Sequence, residues 1–183
     1  MQVFKKYCVT HTLADTLETV YVRAENGSYS TNVGTVRGKV GVPPNATFPV
    51  TEVLHNHNTR GLPIYSVADL LLLYTLYKGL IANVSEFSYS LVTPDNVYDL
   101  KITNTALFLA FALKNLDSTE ELEKTERELD IPVGMPATEA EKRFLEFISD
   151  KGLTLLKPLN NQHSQWGKMQ NVNDNIVIVD CNQ

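Results

Sequence analysis

Residues 53–73, VLHNHNTRGLPIYSVADLLLL, contain the pattern that decides how this chain folds. The aliphatic segment 49–57 predicts a β-strand, and the apolar segment 66–79 predicts an α-helix that ends near its glycine. Residues 58–65 form the loop between them. Strand, loop and helix in direct succession indicate a domain that combines a sheet with helices.

Two histidines on the predicted strand lie two residues apart. Because successive side chains of a strand alternate between its faces, His55 and His57 project from the same face as Val53, while Asn56 points away. Two imidazoles on one face can bind one metal ion if a third ligand comes from another element. Asp69, one turn inside the following helix, can fold back toward the strand and supply that ligand.

The same residues also permit a purely structural interpretation. Ser66 and Asp69 have the spacing of a capping box, in which the serine caps the helix and the aspartate reaches back to it. Either His55 or His57, taken singly, is typical of a buried or edge histidine. The two interpretations are compatible, since Ser66 can cap the helix while Asp69 binds a metal.

The rest of the chain mixes hairpin and helix signals. Segments 17–24 and 28–33 predict two strands on either side of Asn26-Gly27, a dipeptide typical of tight hairpin turns. The Gly- and Pro-containing segment 34–49 is a long loop, and such loops are often functional. Further predicted elements are strands at 87–92, 97–102 and 176–181 and helices at 105–116 and 118–130. A capping box at 138–141 predicts the start of an amphipathic helix that continues to 150, and Gly152 is placed to end it.

These elements predict one domain over residues 1–183, of the α/β or α+β class, with its core in 1–116 and a helical and C-terminal strand extension in 117–183. The chain is 43% hydrophobic and 20% charged, which is typical of a globular protein. Two cysteines, Cys8 and Cys181, lie at opposite ends and form no closely spaced ligand pair.

Charge and hydropathy give no support for nucleic acid or a membrane as a partner. The net charge of −5 gives no reason to expect nucleic acid. The N-terminus lacks the apolar core of a signal peptide, and Asp69 and Lys78 interrupt the most apolar run, so we expect no membrane span. The chain as given is therefore expected to be cytoplasmic, or a module of a larger secreted protein.

The motif His55-Asn56-His57, eight residues, Ser66-Val67-Ala68-Asp69 resembles the JAMM motif of the JAB/MPN metallopeptidases. The hairpin near residue 18 and the tail SQWGKMQNVNDNIVIVDC resemble, within that family, the JAB-like modules of bacterial polymorphic toxins and Rhs-type proteins. One position departs from the family pattern, since Asn58 stands where many members have a proline. That difference affects the loop that places Ser66 rather than the metal ligands.

The resemblance implies a single JAB/MPN-like domain with a mixed, mostly antiparallel sheet and flanking helices. It implies Zn²⁺ bound by His55, His57 and Asp69, with Ser66 donating a hydrogen bond to the oxyanion. It also implies an upstream glutamate as general base, for which Glu18 is the candidate. The activity implied is hydrolysis of a peptide or isopeptide bond in a protein or peptide substrate, with loops 34–49 and 58–65 bordering the cleft.

The residues themselves agree with the choice of Glu18. Alternation places its carboxylate on the same face as Val20 and Val22, and a buried carboxylate needs a charge partner or a function. Glu25 lies beside the hairpin turn, and Glu52 faces away from the histidines, so neither is a good substitute.

Other functions compete with this one. A member of the same fold can be a non-catalytic binding or scaffold module, and an unrelated domain can carry the motif residues by chance. The letters HNH at 55–57 do not indicate an HNH nuclease, whose signature residues are spread over a long segment. The chain lacks the HxE and PCxxC motifs of zinc deaminases and the HExxH motif of other metalloproteases.

Overall fold

The structure is a computed structural model that describes residues 17–34, 41–58 and 61–181. Cys8 and parts of loops 34–49 and 58–65 lie outside the described residues. The strands are β1 (Thr19–Ala24), β2 (Tyr29–Val33), β3 (Val50–Asn56), β4 (Ser88–Val92), β5 (Val97–Ile102), β6 (Leu153–Pro158), β7 (Trp166–Val172) and β8 (Asn175–Asp180). The helices are α1 (Val67–Tyr77), α2 (Thr105–Asn115), α3 (Thr119–Leu129) and α4 (Ala137–Ile148).

The described strands form one eight-stranded sheet with the order β2-β1-β3-β4-β5-β6-β7-β8. The described pairs are antiparallel except β3 with β4, which run parallel. Parallel neighbours need a crossover connection, and α1 lies in the chain between β3 and β4. The sheet is thus mixed and mostly antiparallel, which confirms the predicted α+β class.

The main hydrophobic core lies on the face of the sheet that carries His55. Side chains of β1, β3, β4 and β5 on this face form one buried cluster with apolar side chains of all four described helices. The apolar run of α1 is buried here through Leu70, Leu73 and Leu76, which is why a helix with hydrophobic residues on nearly all sides is stable in this position. None of the described helices is long and apolar enough to cross a bilayer.

The opposite face of the sheet is buried as well, but it is more polar. Leu54 forms a small apolar cluster there with Val92 and Val97. Beside this cluster, the hydroxyls of Ser88 and Ser90 donate to Asp99 Oδ1 at 2.8 and 3.0 Å. The neighbouring strands therefore satisfy these buried hydroxyl groups without help from a helix.

Several boundaries predicted from the sequence are confirmed. The first hairpin turns at Gly27, whose φ of 83° suits a residue without a β-carbon. Strands at 87–92 and 97–102 pair as a hairpin, and α1 begins directly after Ser66. Helices at 105–115 and 119–129 match the predictions to within a residue or two.

The C-terminal part differs from the prediction in two ways. Strands β6 and β7 were not predicted, and they connect β8 to the rest of the sheet. The prediction of a capping box at 138–141 is wrong. Helix α4 already begins at Ala137, and its N-cap residue, Pro136, forms no side-chain cap. Proline fixes the entry to the helix by itself, since its φ is already close to the helical value.

Candidate metal centre

The C-terminal end of strand β3 and the first turn of helix α1 bring three predicted ligands together. His55 and His57 are 2% and 7% exposed, and Asp69 is 9% exposed. One ligand atom from each residue lies within 4.8 Å of the others, which makes this group able to hold a metal ion. The prediction that these three side chains converge is confirmed.

The distances within the cluster are close to those of a first coordination shell. His55 Nε2 lies 3.0 Å from Asp69 Oδ1, and His57 Nε2 lies 3.4 Å from Asp69 Oδ2. Ligand atoms about 2.0–2.2 Å from a tetrahedral zinc ion are separated from one another by about 3.3 Å. Both histidine–aspartate separations therefore match the spacing of a zinc coordination shell, and the three ligand atoms all lie within 4.8 Å of one another.

Helix capping orients the carboxylate of Asp69. The backbone N–H and the hydroxyl of Ser66 both donate to Asp69 Oδ2, at 2.6 and 2.7 Å, and Asp69 N–H donates to Ser66 Oγ at 3.1 Å. This is a complete capping box, as the structural interpretation predicted. Because the cap engages Oδ2, the other carboxylate oxygen, Oδ1, is directed toward His55.

A backbone contact orients the ring of His57. Its Nδ1 lies 2.9 Å from the carbonyl oxygen of Leu62, which can only accept, so Nδ1 carries the proton. Nε2 is thereby directed to the cluster, as is usual for a histidine that binds a metal through Nε2. Gly61 lies against this ring, since a β-carbon there would be 3.1 Å from His57 Cβ.

The ring of His55 provides the strongest indication that the cluster can bind a cation. Both of its ring nitrogens are buried and make no hydrogen bond of good geometry, although Nε2 lies 3.0 Å from Asp69 Oδ1. Its ring stacks on Tyr89, with centroids 5.4 Å apart. A buried polar atom without a partner costs about 1–3 kcal/mol, and a bound cation would remove that cost at Nε2.

The charges of the cluster are strongly coupled. Burial alone would raise the pKa of Asp69, but attraction to His55 and His57 holds that pKa well below its ordinary value. Burial likewise opposes the charged form of His57, yet Asp69, the Leu62 carbonyl and Glu18 together raise the pKa of His57. The carboxylate is therefore ionised and ready to bind a cation.

Glu18 lies where the sequence places it, beside the histidines. Strand register pairs Val20 with His55, and its continuation by two residues sets Glu18 opposite His57 on the same face. Glu18 is 7% exposed, and burial raises its pKa, while His57 opposes and Asp69 reinforces this shift. A carboxyl group with a raised pKa is suited to accept and return a proton near neutral pH.

Ser66 lies at the rim of the cluster with a hydroxyl that is already engaged. Its proton is donated to Asp69 Oδ2, so the structure brings Ser66 to the centre as a cap. The predicted role as an oxyanion donor requires the hydroxyl to turn from that oxygen. Of the two predicted cleft loops, 58–65 contacts His57 through Gly61 and Leu62, whereas the placement of 34–49 beside the centre stays a prediction.

Sequence reasoning did not identify three contributors to the centre: Leu62, Tyr89 and Asn56. Leu62 acts through its carbonyl, which no side-chain pattern reveals. Tyr89 lies on β4, and only the parallel pairing of β3 with β4 brings it beside His55. Asn56 was expected only to point away from the site, but its amide contacts the backbone around Glu18.

Comparison of the chain with family models, with curated proteins and with solved structures yields no match. The resemblance to the JAB/MPN metallopeptidases therefore stays a prediction from the motif.

Proposed function

We propose that this protein is a zinc-dependent metallopeptidase or isopeptidase that hydrolyses a peptide or isopeptide bond in a protein or peptide substrate. The observation that carries the proposal is the buried group of His55, His57 and Asp69 with the carboxyl group of Glu18 facing it. Three protein ligands and an adjacent acid–base group are typical of a catalytic zinc site, because the fourth position is left for water.

His55 Nε2, His57 Nε2 and one oxygen of Asp69 are the atoms that would hold zinc. A bound zinc ion lowers the pKa of a coordinated water to about 7 and polarises a carbonyl oxygen. Asp69 stays ionised for this task because the histidines hold its pKa low. The Leu62 carbonyl keeps His57 in the tautomer whose Nε2 can bind a metal.

Glu18 would transfer the proton. It accepts the proton of the attacking water while the water oxygen adds to the carbonyl carbon, and it then gives that proton to the leaving amine as the C–N bond breaks. Its raised pKa reduces the cost of holding the proton between these two steps. The low exposure of Glu18 also limits loss of that proton to solvent.

Ser66 would assist at the oxyanion. Its hydroxyl lies next to Asp69 at the N-terminus of α1, where the backbone N–H groups of the first turn also favour negative charge. When Asp69 is bound to a cation, its oxygens attract the Ser66 proton less strongly, so that the proton becomes available to a developing oxyanion. Ser66 then supports catalysis while still accepting from Asp69 N–H.

One observation favours a second candidate, a non-catalytic binding module. Asp69 Oδ2 already accepts hydrogen bonds from the N–H and the hydroxyl of Ser66 without any ion, and both histidines lie within 3.4 Å of the carboxylate. Such a cluster can be a purely structural connection between β3 and α1. The unpartnered nitrogens of His55 are less easily explained in that case, because a structural cluster normally satisfies its buried polar atoms.

The first experiment is metal analysis by mass spectrometry, on protein purified without chelator. We expect about one zinc ion per chain in the native protein, and none in Asp69→Ala or in the double variant His55→Ala, His57→Ala. The matched control is His163→Ala, which removes a histidine from the β6–β7 loop and retains the metal. A native protein that binds no zinc after reconstitution would leave the structural cap as the role of Ser66 and Asp69.

A second experiment separates catalysis from binding. Glu18→Gln removes the acid–base group but no zinc ligand, so zinc content is unchanged while turnover falls by about 10²- to 10⁴-fold. Turnover is followed on quenched-fluorescence peptides and on lysine isopeptide conjugates. Equal turnover in native protein and Glu18→Gln would contradict the role of Glu18, and zinc binding without turnover on either substrate class would favour the binding module.

A further inference from the structure

We propose that Asn56 is a positioning residue for Glu18. The side-chain amide of Asn56 binds the backbone on both sides of Glu18. Asn56 Oδ1 accepts a hydrogen bond of 2.5 Å from the N–H of Thr19, and Asn56 Nδ2 donates to the carbonyl oxygen of Leu17 at 3.4 Å. Leu17 and Thr19 are the two chain neighbours of Glu18. This inference rests on the proposed function, in which Glu18 is the general base.

The register of the sheet explains why a side chain is needed at this point. The paired residues of β1 and β3 run from Ala24 with Val50 to Val20 with His55. Glu18 lies one residue before β1, where the end of a strand frays most easily. The amide of Asn56 extends the connection between strands β1 and β3 past their last paired residues.

A second contact fixes the other edge of the same segment. The carbonyl oxygen of Glu18 accepts a hydrogen bond of 2.8 Å from the N–H of Gly34, just after β2. The backbone of residues 17–19 is therefore held from β3 through Asn56 and from the β2 side through Gly34. The side chain of Glu18 is left to face His57.

The chemistry of the contact requires an amide. Glu18 is flanked by one backbone donor and one backbone acceptor, and an amide offers one acceptor and one donor group on a single short side chain. An aspartate retains only the acceptor, and a leucine of similar size retains neither. Asn56 is 2% exposed, so water does not replace the lost bonds readily.

Alternation along β3 separates this role from that of the ligands. His55 and His57 project toward the candidate metal centre. Asn56 projects toward the other face of the sheet and contacts the backbone of the neighbouring strand, β1. The three consecutive residues of the motif thus divide into two ligands and one residue that places the base. A displacement of the base by about 1 Å can cost about 100-fold in turnover.

The test measures the position of Glu18 without a substrate. Native protein and Asn56→Leu are loaded with Co²⁺, and the paramagnetic relaxation of the Glu18 side-chain carboxyl carbon is recorded by NMR, together with hydrogen exchange of the Thr19 amide. We expect Asn56→Leu to bind Co²⁺ in the native amount, to exchange the Thr19 amide faster, and to show a relaxation enhancement at Glu18 that is several-fold smaller.

The matched control removes a comparable contact from the other end of the same strand pair. Thr51 Oγ1 donates to the carbonyl oxygen of Arg23 at 3.3 Å, so Thr51→Val also deletes a bond between a β3 side chain and the β1 backbone. We expect the enhancement at Glu18 to be unchanged in this variant. Asn56→Asp retains the acceptor for Thr19 but loses the donor for Leu17, so we expect the enhancement at Glu18 to be reduced in this variant as well.

Each outcome has one meaning. Unchanged relaxation of Glu18 in a Co²⁺-loaded Asn56→Leu protein overturns the inference and leaves the proposed function intact. Native protein that binds neither Co²⁺ nor Zn²⁺ overturns the proposed function, and the inference with it. If Asn56→Leu is insoluble, Asn56→Ser is used with the same expectation, because its shorter side chain stays polar but does not bridge Leu17 and Thr19.

Discussion

At the scale of single residues, the charges of His57 and Asp69 determine how the centre responds to pH. The pKa of His57 is raised, so its charged form stabilises the metal-free protein below the ordinary value of 6.5, and this contribution is lost as the pH rises through the folded-state pKa. The pKa of Asp69 is lowered, so its contribution is present above the ordinary value of 3.8 and is lost as the pH falls through the folded-state pKa.

This coupling predicts opposite pH trends for the metal-free and zinc-loaded protein. Zinc must displace the proton on His57 Nε2, so the affinity for zinc should fall by about tenfold per pH unit below the folded-state pKa of His57. Metal-free protein should lose stability from mildly acidic to mildly alkaline pH, while zinc-loaded protein gains it. Chelator competition and thermal unfolding across this range measure both trends. A zinc affinity that does not change with pH would contradict the assignment of His57 as a ligand.

At the scale of elements, the start of helix α1 serves two purposes at once. Ser66 caps the helix, and the same capping box turns Asp69 toward the histidines. Helix α3 offers a comparison, because Ser118 caps it through a hydrogen bond of 3.3 Å from Glu121 N–H, and none of the described residues forms a metal cluster beside this cap. The two caps should therefore respond alike in stability and differently in metal binding.

Replacing each capping serine by alanine tests this difference. Ser66→Ala and Ser118→Ala should each lower the free energy of unfolding of metal-free protein by about 1 kcal/mol. Only Ser66→Ala should weaken zinc binding, by about tenfold, because it removes the hydroxyl, one of the two donors that orient the Asp69 carboxylate. Chemical unfolding and zinc competition on the two variants provide the measurements. The same loss of zinc affinity in both variants would mean that helix stability, not carboxylate orientation, is responsible.

At the scale of the whole molecule, the sheet ends in strand β8, which no described strand covers. Three consecutive aliphatic residues of this edge, Val177, Ile178 and Val179, are each about 40% exposed. Natural edge strands usually carry a lysine, a proline or a bulge that prevents pairing with another chain. Within β8 the charged residue is Asp180 at its end, so the middle of the strand has no such protection.

A lysine in the middle of β8 should therefore reduce self-association. Val177 pairs with Gln170 of β7 rather than with a core residue, so Val177→Lys should leave the fold intact and raise the concentration at which the protein stays monomeric. Ile176→Lys is the contrasting variant, because Ile176 packs against the core and its replacement should destabilise the protein. Light scattering over a concentration series and thermal unfolding distinguish the two. Identical self-association of native protein and Val177→Lys would exclude this edge as the cause.

Much of the candidate metal centre could be predicted, because the residues that form it lie close together in the sequence. Strand alternation brings His55 and His57 to one face, and the turn between strand and helix is short, so the position of Asp69 follows from fifteen residues of sequence. Glu18 was also predictable, since a carboxylate on an apolar strand face needs a reason to be there.

The other contacts of the candidate site depend on which strands pair in the sheet, and no local sequence pattern specifies that pairing. The amide of Asn56 acquires a role only when β1 lies beside β3, and Tyr89 contacts His55 only because β4 runs parallel to β3. Strands β6 and β7 were not predicted. Their sequences alternate weakly, with polar and half-buried residues on both faces, and they are identified by their partners in the sheet.

The closeness of the three candidate ligands in the chain has a consequence for the order of folding. His55 and Asp69 are separated by thirteen residues, whereas β5 and β6 pair residues such as Asp99 and Leu156 that lie far apart in the sequence. Closing a short loop costs less conformational entropy than closing a long one. If the cluster binds zinc as proposed, the ion would join β3 to α1 before the distant strands dock, and metal supplied during refolding would accelerate an early step instead of filling a finished cavity.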